Sequence, residues 1–267
     1  MSAYYGPTKF SDLSFEEFRD QYLSDLKVSR KTTLPSENHT PIRNIKALKI
    51  PQRIDWRNFK NDSYVTKVKN QLKCGGCWAF SATETIESMK AIQTGLPPPE
   101  LSVQEVIDCS NDNNGCRGGD PYQATKWLRD TQTPVTTNSK YPLTDTSDYC
   151  RLITNNSDGV IVKTCSSSSL MGKEDKILQL LNRGPVSVAV DASTWNNYMG
   201  GIIQYHCETR INHAVQIVGY DISGDIHYYI VRNSWGTDFG DGGYLYIKIG
   251  ENLCGIAEEV TTVTVKP

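Results

Sequence analysis

The run Gln71-Leu72-Lys73-Cys74-Gly75-Gly76-Cys77-Trp78-Ala79-Phe80 decides the fold. Behind it, residues 77–94 place apolar side chains at Ala82, Ile86, Met89 and Ile92, a three- and four-residue spacing that marks one helical face, and Gly95 supplies the stop. A long helix therefore begins on a cysteine. Three chemistries use a C-x-x-C. A thioredoxin-like dithiol would follow a strand in a chain of roughly a hundred residues. A zinc site needs four ligands, and no second C-x-x-C or H-x-x-H completes one. A nucleophile at a helix N-terminus gains thiolate character from the macrodipole and the free backbone N–H groups. Only the third explains why the helix starts at Cys77.

The pattern around this helix changes once along the chain. Ser102 with Glu105 reads as a capping box, with Leu101 and Val106 as its hydrophobic staple. Asp120-Pro121 opens another helix through Trp127 and Leu128. After about Val160 the periods turn to strands: PVSVAVDA (185–192), HAVQIVGYD (213–221), IHYYIVRNS (226–234), GYLYIKIG (243–250) and EVTTVTV (259–265). KEDKILQLLNRG (173–184) interrupts them as a helix stopped by Gly184. A helical half over 50–160 followed by a strand-rich half over 161–267 predicts an α+β protein of two subdomains. Residues 1–49 stand apart: they hold no cysteine, 28–49 is polar, and Ser14 opens a short helix with Phe15, Phe18, Tyr22 and Leu23 as its stripe.

Composition excludes several classes. Twenty-eight Lys+Arg against 30 Asp+Glu leave a formal charge of −2, so no basic footprint for nucleic acid covers the chain. No apolar run is long enough for a membrane span, and MSAYYGPTKF lacks the apolar core of a secretory leader. Eight scattered cysteines and three sequons, at Asn38, Asn61 and Asn155, lean toward an oxidising compartment with the leader missing from this chain. The Asp/Glu pairs show no calcium-loop spacing, and no cofactor or metal is implied.

A nucleophilic thiol needs a base that takes its proton and returns it to the leaving group. Of the four histidines, His39 lies in the polar linker, His206 beside Cys207 and His227 early in a strand; His213 enters a strand in Asn212-His213-Ala214. Asn233, at the end of another strand in Asn233-Ser234-Trp235-Gly236, offers an amide carbonyl to orient the imidazole. Trp235 could cover that bond from water. An amide suits a thiolate–imidazolium pair, whose two charges already balance.

The set Gln71, Cys77-Trp78, Asn212-His213-Ala214 and Asn233-Ser234-Trp235-Gly236 resembles the papain family of cysteine peptidases. The resemblance runs from Asp55-Trp56-Arg57 to the C-terminus. It implies a two-subdomain fold, helical on one side and β-barrel-like on the other, with the site in the cleft between. It further implies Cys77 as nucleophile, His213 as acid/base, Asn233 as orienter and Gln71 as an oxyanion donor beside the Cys77 N–H. It pairs Cys74 with Cys116, Cys109 with Cys150 and Cys207 with Cys254, leaving Cys77 free and Cys165 unmatched; spacing alone could not choose among on the order of a hundred connectivities.

Gly6-Pro-Thr8-Lys-Phe10-Ser-Asp12 is similar to a stretch of the family's inhibitory propeptide, so 1–49 is expected to be the C-terminal part of one, crossing the cleft in the non-productive direction, with Asp12 as an acid sensor. Gly118 and Gly119 match a wall that pairs with substrate backbone, and Pro121, Ala189, Ala214 and Glu259 match the second subsite. A carboxylate at 259 would accept Arg or Lys as well as apolar side chains; alternatively Glu258-Glu259 is a solvated pair at a strand start. No insertion bearing a histidine follows Gly119, which favours internal cleavage over exopeptidase action. Gly76 departs from the Ser or Ala common before the nucleophile, and Phe239 stands where a second Trp is common, which would thin the shielding of Asn233.

The expectation is a cysteine endopeptidase made as a proenzyme, lysosomal or secreted and monomeric. Its partners would be protein or peptide substrates, its own propeptide and cystatin-type inhibitors. The alternatives are a catalytically silent binding protein, or inert zymogen, and a CxxC oxidoreductase.

Overall fold

The computed structural model describes residues 1–24, 26, 49–153, 157–205 and 207–267. At its centre lies α2 (Cys77–Thr94), buried along most of its length and closed by Gly95 at φ 67°. Its amphipathicity is low because it is packed on both sides. One side meets α3 (Val103–Cys109) and α4 (Pro121–Thr131), and the other meets strands β4 (Val186–Val190) and β7 (His213–Asp221). Ser81 anchors the second contact, 2.6 Å from the Ser187 hydroxyl and donating at 2.7 Å to the Val215 carbonyl.

The large sheet runs β3 (Val162–Ser168), β10 (Val260–Val265), β4, β7, β8 (Tyr228–Arg232), β9 (Tyr244–Lys248) and β6 (Ile202–Ile203), with β2 (Arg53–Asp55) also on β7. All pairs are antiparallel except β6 with β9. α5 (Glu174–Leu181) covers one face through Ile177, Leu178 and Leu181.

Two apolar cores result, and they do not follow chain order. The strand-side core takes in Ile54, Trp56 and Val65 from before α2, whereas the helical-side core takes in Val162, Val263 and Val265 from the far end of the chain. Each half lends its end to the other, so the 50–160 and 161–267 segments are laced together rather than merely adjacent. Two disulfides, Cys74–Cys116 and Cys109–Cys150, tie the helical side, and Cys207–Cys254 ties the strand side.

α1 (Phe15–Tyr22) begins in a complete capping box between Ser14 and Glu17. Phe18 is buried, while Phe15 is half exposed and leaves the expected stripe. At α3 the box is only half formed. Ser102 accepts from Glu105 N, but the Glu105 carboxylate turns to Thr136 N at 2.7 Å. Tertiary pairing has captured that side chain, since Ser102 N is already donating to Thr136 O. Strands β1 (Tyr4–Tyr5), β2, β5 (Tyr198–Gly200) and β6 have two or three residues each, too few for any period to show.

Candidate active site

Cys77 is the first residue of α2 and is fully buried. Gly76 before it has no room to spare: a Cβ there would lie 3.0 Å from Ile107 Cδ1 and 3.2 Å from the Cys74 sulfur. The departure at 76 thus answers the packing of α3 and the disulfide. Backbone N–H groups of Cys77, Trp78 and Ala214 and the Ser24 hydroxyl act on the sulfur, yet burial outweighs them and raises its pKa. Ser24 Oγ lies 3.4 Å from Cys77 Sγ. Cys74 is bonded to Cys116, so Cys74 and Cys77 do not form a dithiol.

His213 opens β7, immediately before Ala214, whose N–H reaches the Cys77 sulfur. Its Nε2 lies 2.8 Å from Asn233 Oδ1, just past the end of β8, while Nδ1 has no hydrogen-bond partner among the described residues. Burial pushes His213 down to about 4, against the opposing Asn233 bond. An ion pair was expected between thiol and imidazole. In this form both are driven neutral, because desolvation penalises each charge and the N-terminal segment excludes water.

Trp235 covers the histidine with ring centroids 4.8 Å apart, and Phe239 backs Trp235 at 4.9 Å. Shielding is not thin: Phe10 and Phe18 each add an edge contact to Trp235 at 5.4 Å. Gln71 donates through Nε2 to the Cys74 carbonyl at 3.0 Å and to the Tyr22 carbonyl at 3.3 Å. Its Oε1 accepts from Ser234 Oγ at 2.6 Å, and its backbone N–H donates to Ser234 O. Sequence reading passed over Ser234, although it sits between the two residues singled out at 233 and 235.

The N-terminal segment lies across this arrangement. Ser24 N donates to Asn212 O at 2.9 Å, and Tyr22 O faces Gln71. β1 pairs with β5, and Lys9 bonds Asp238 at 2.8 Å and the Trp235 carbonyl. Asp12 is exposed and has no ion pair among the described residues, so its protonation would remove no contact seen here. A cavity of about 1130 Å³ remains beside Ser24, lined by Arg117, Ser193 and Asn212 among others. The Asn212 side chain itself turns away, donating to Asp191 and Ser193.

The predicted second-subsite residues converge. Ala189 pairs with Ala214 across β4 and β7, Ala189 N donates to Glu259 O, and Pro121 begins α4 directly after Asp120, which is hydrogen-bonded to Glu259. Glu259 is buried rather than solvated, and burial beside Asp120 pushes it up to about 8. Gly118 spends its N–H and its carbonyl within its own turn. At Gly119 a Cβ would collide with Trp78 and Asn113.

Beneath the site, Arg232 and Glu84 are both buried and 3.4 Å apart, with Lys69–Glu87 alongside at 3.0 Å. No motif marked this network. The three disulfides match the expected pairs, and Cys165 is free and half-buried. Asn61 is exposed at φ 73° in a turn bridged by Phe59 and Asp62. Asn38, Asn155, His39 and His206 lie outside the described residues. Among the described residues no cluster of His, Cys, Asp or Glu could hold a metal, and no helix is long and apolar enough to cross a membrane.

Comparison with known proteins agrees with this geometry. The profile of the "Papain family cysteine protease" matches residues 50–264. Over 266 residues the chain is 45% identical to Cathepsin O of Mus musculus, spanning 99% of this chain and 83% of that one. Cathepsin O of Homo sapiens is 42% identical over 99% of this chain and 80% of the relative. Among solved structures, the digestive procathepsin L2 proteinase of Tenebrio molitor larval midgut superposes with a TM-score of 0.83 at 30% identity, covering 99% of this chain and 84% of that one. With the fold, the matched span and the near-complete coverage in agreement, the chain belongs to the papain family of cysteine proteases.

Proposed function

We propose that the chain is the proform of an endopeptidase whose nucleophile is Cys77, whose acid/base is His213 and whose orienting amide is Asn233. The observation that carries this reading is the meeting of three distant stretches. The N-terminus of α2, the start of β7 and the end of β8 bring Cys77 beside Ala214 N–H and lock His213 Nε2 onto Asn233. In the reaction the Cys77 thiolate adds to the scissile carbonyl carbon. Gln71 Nε2 and the Cys77 N–H face the resulting oxyanion. The imidazolium of His213 gives its proton to the leaving amine as the C–N bond breaks, leaving a thioester. Water, deprotonated by the same ring, then attacks the thioester, and the thiolate leaves. Both halves need His213 to stay on one tautomer, which the Asn233 carbonyl selects by accepting from Nε2–H.

Residues 1–49 are the inhibitory segment in this reading. Ser24 stands against the sulfur, Tyr22 O takes the Gln71 donor, and Ser24 N takes the Asn212 carbonyl, so the groups meant for a substrate are engaged while both reactive side chains are held neutral. Gly119 and the cluster around Glu259 would receive the acyl side of an extended peptide. Protein substrates, cystatin-type inhibitors and a monomeric state accord with the family. Three disulfides and the exposed sequon at Asn61 support passage through an oxidising, lysosomal or secretory route.

Titration with an epoxide thiol reagent, before and after acid treatment, tests the reading. Expected is one equivalent on Cys77, only after residues 1–49 are removed, together with peptide hydrolysis that a Cys77→Ala variant lacks. Stoichiometric labelling without any hydrolysis would instead indicate a silent binding protein.

A further inference from the structure

Asp191 lies one residue past the end of β4, is only 2% exposed, and takes part in no step derived above. Its Oδ2 is buried without a hydrogen-bond partner among the described residues. A buried oxygen left so costs stability, and what explains the residue is its other oxygen. Oδ1 accepts from Ser193 N at 2.9 Å, closing a turn over Ala192, and from Asn212 Nδ2 at 3.0 Å. The same Nδ2 donates to Ser193 Oγ at 2.7 Å, and Asn212 Oδ1 accepts from Ala192 N at 2.9 Å. Both polar atoms of the Asn212 side chain are thus spent on residues 191–193. The place of Asn212 explains the clamp. The β4–β7 ladder ends where Val190 pairs with His213, and Asn212 N donates to Val190 O. Asn212 O stands beyond the ladder and accepts from Ser24 N at 2.9 Å, beside a cavity lined by Ser24, Ser193 and Asn212. With no further ladder bond to fix this carbonyl, the side chain does so instead. Residue 191 is itself moored, its N–H donating to the carbonyl of Cys254 in the Cys207–Cys254 disulfide.

We propose that Asp191 is a positioning residue: through the Asn212 side chain it aims the Asn212 carbonyl at a backbone N–H of the substrate, the place that Ser24 N holds in the full chain. The proposal rests on the reading of the cleft as a peptidase site. Ser24 puts its hydroxyl 3.4 Å from the Cys77 sulfur and its N–H on Asn212 O. A substrate residue whose carbonyl carbon stands at that sulfur would offer its own N–H to the same acceptor. Without Asp191 the Asn212 amide keeps Ser193 alone as its acceptor, and the carbonyl loses its fixed direction. The loss then falls on that one N–H, whereas a general weakening of the fold would fall on every substrate alike.

The acid-activated chain is assayed on a peptide and on its depsipeptide twin, in which an ester oxygen replaces the N–H of the residue that supplies the scissile carbonyl. Expected in the parent is a kcat/KM about tenfold lower for the twin, the worth of one hydrogen bond. Asp191→Ala should lose about tenfold on the peptide and almost nothing further on the twin, because the two changes remove the same contact. Asp191→Asn keeps an acceptor oxygen and should stay within about threefold of the parent. Equal losses on both substrates, or an Asp191→Ala variant as fast as the parent on the peptide, overturn the proposal. The full chain supplies a measurement that needs no hydrolysis, hydrogen exchange at Ser24 N–H. It should quicken in Asp191→Ala and, to a smaller extent, in Ser193→Ala, while Ala3 N–H, bonded to Ile202 O, exchanges as before. If Asp191→Ala does not fold, Ser193→Ala carries the same comparison; exchange at Ser24 unchanged there, or quickened equally at Ala3, overturns the clamp. Exchange that behaves as expected in a chain that hydrolyses neither substrate would count against the peptidase reading alone.

Discussion

Among the described residues the His213 ring carries a single hydrogen bond, in a site covered by Trp235, so its proton is governed by one amide and by access of water. Replacing Asn233 with Ala should lower kcat/KM by about 10²-fold, in the range seen when an imidazole loses its oriented partner, with KM little changed. Gln71→Ala should cost about 10²–10³ in kcat, as for other oxyanion donors. Ser234→Ala should cost less than Gln71→Ala, because Ser234 acts only by fixing Gln71 Oε1; a double variant no worse than Gln71→Ala would confirm that path. Cys77 offers a second residue-scale measurement. Its pKa is raised while residues 22–24 cover it, so iodoacetamide should label the full chain slowly until pH exceeds the ordinary thiol range. The uncovered enzyme should react quickly at pH 5, and equal rates for the two forms would refute desolvation as the cause. The residues proposed for the chemistry were legible from sequence because each stands in a short, distinctive stretch. Ser234 and Glu84 were not, because their roles come from partners far away in sequence.

At the scale of elements, α1 is held by one aromatic stack. Phe18 is buried against Phe10, Tyr22 and Trp235. Phe18→Ala removes a buried aromatic, a change worth about 3–5 kcal/mol in a core, and should loosen the N-terminal segment without touching the mature site. Activity of the full chain before acid treatment should rise, and activity after treatment should stay the same; a fall in both would show that Phe18 serves the fold of the body instead. The helices were legible because caps and stops write themselves locally: Ser14, Gly95 and Asp120-Pro121 all mark their ends. The two- and three-residue strands were not. β1 and β2 exist only because β5 and β7 present free edges to them.

The whole molecule carries a pH dependence whose sign follows from buried acids. Glu84, buried beside Arg232, is pushed up to about 7, and Glu259 to about 8. In the folded chain each keeps a proton that the unfolded chain has released above the ordinary Glu value, so stability falls as pH rises through that window. His213 acts oppositely. Lowered to about 4, it is neutral when folded while the unfolded chain is protonated, so stability rises with pH until about 6.5. Between pH 6.5 and 8 only the acids act. The thermal midpoint should therefore drop across that interval, and Glu84→Gln should shrink the drop; a midpoint that rises there would contradict these assignments. The pair is costly at neutral pH because Arg232 Nε and Nη1 have no partners among the described residues.

Sequence by itself determined the period of each long element, the helix that starts on a cysteine, and the identities of the groups that can do chemistry. Those are properties of neighbours within a few residues, where sterics, caps and side-chain type act directly. Only the tertiary structure decided that Gly76 must stay small, that Glu105 leaves its cap for Thr136, that burial under the N-terminal segment disfavours the charged forms of both thiol and imidazole, and that Glu259 is buried rather than solvated. Each depends on burial and on a partner brought in by folding, and neither desolvation nor a long-range contact has any signature in the local order of residues.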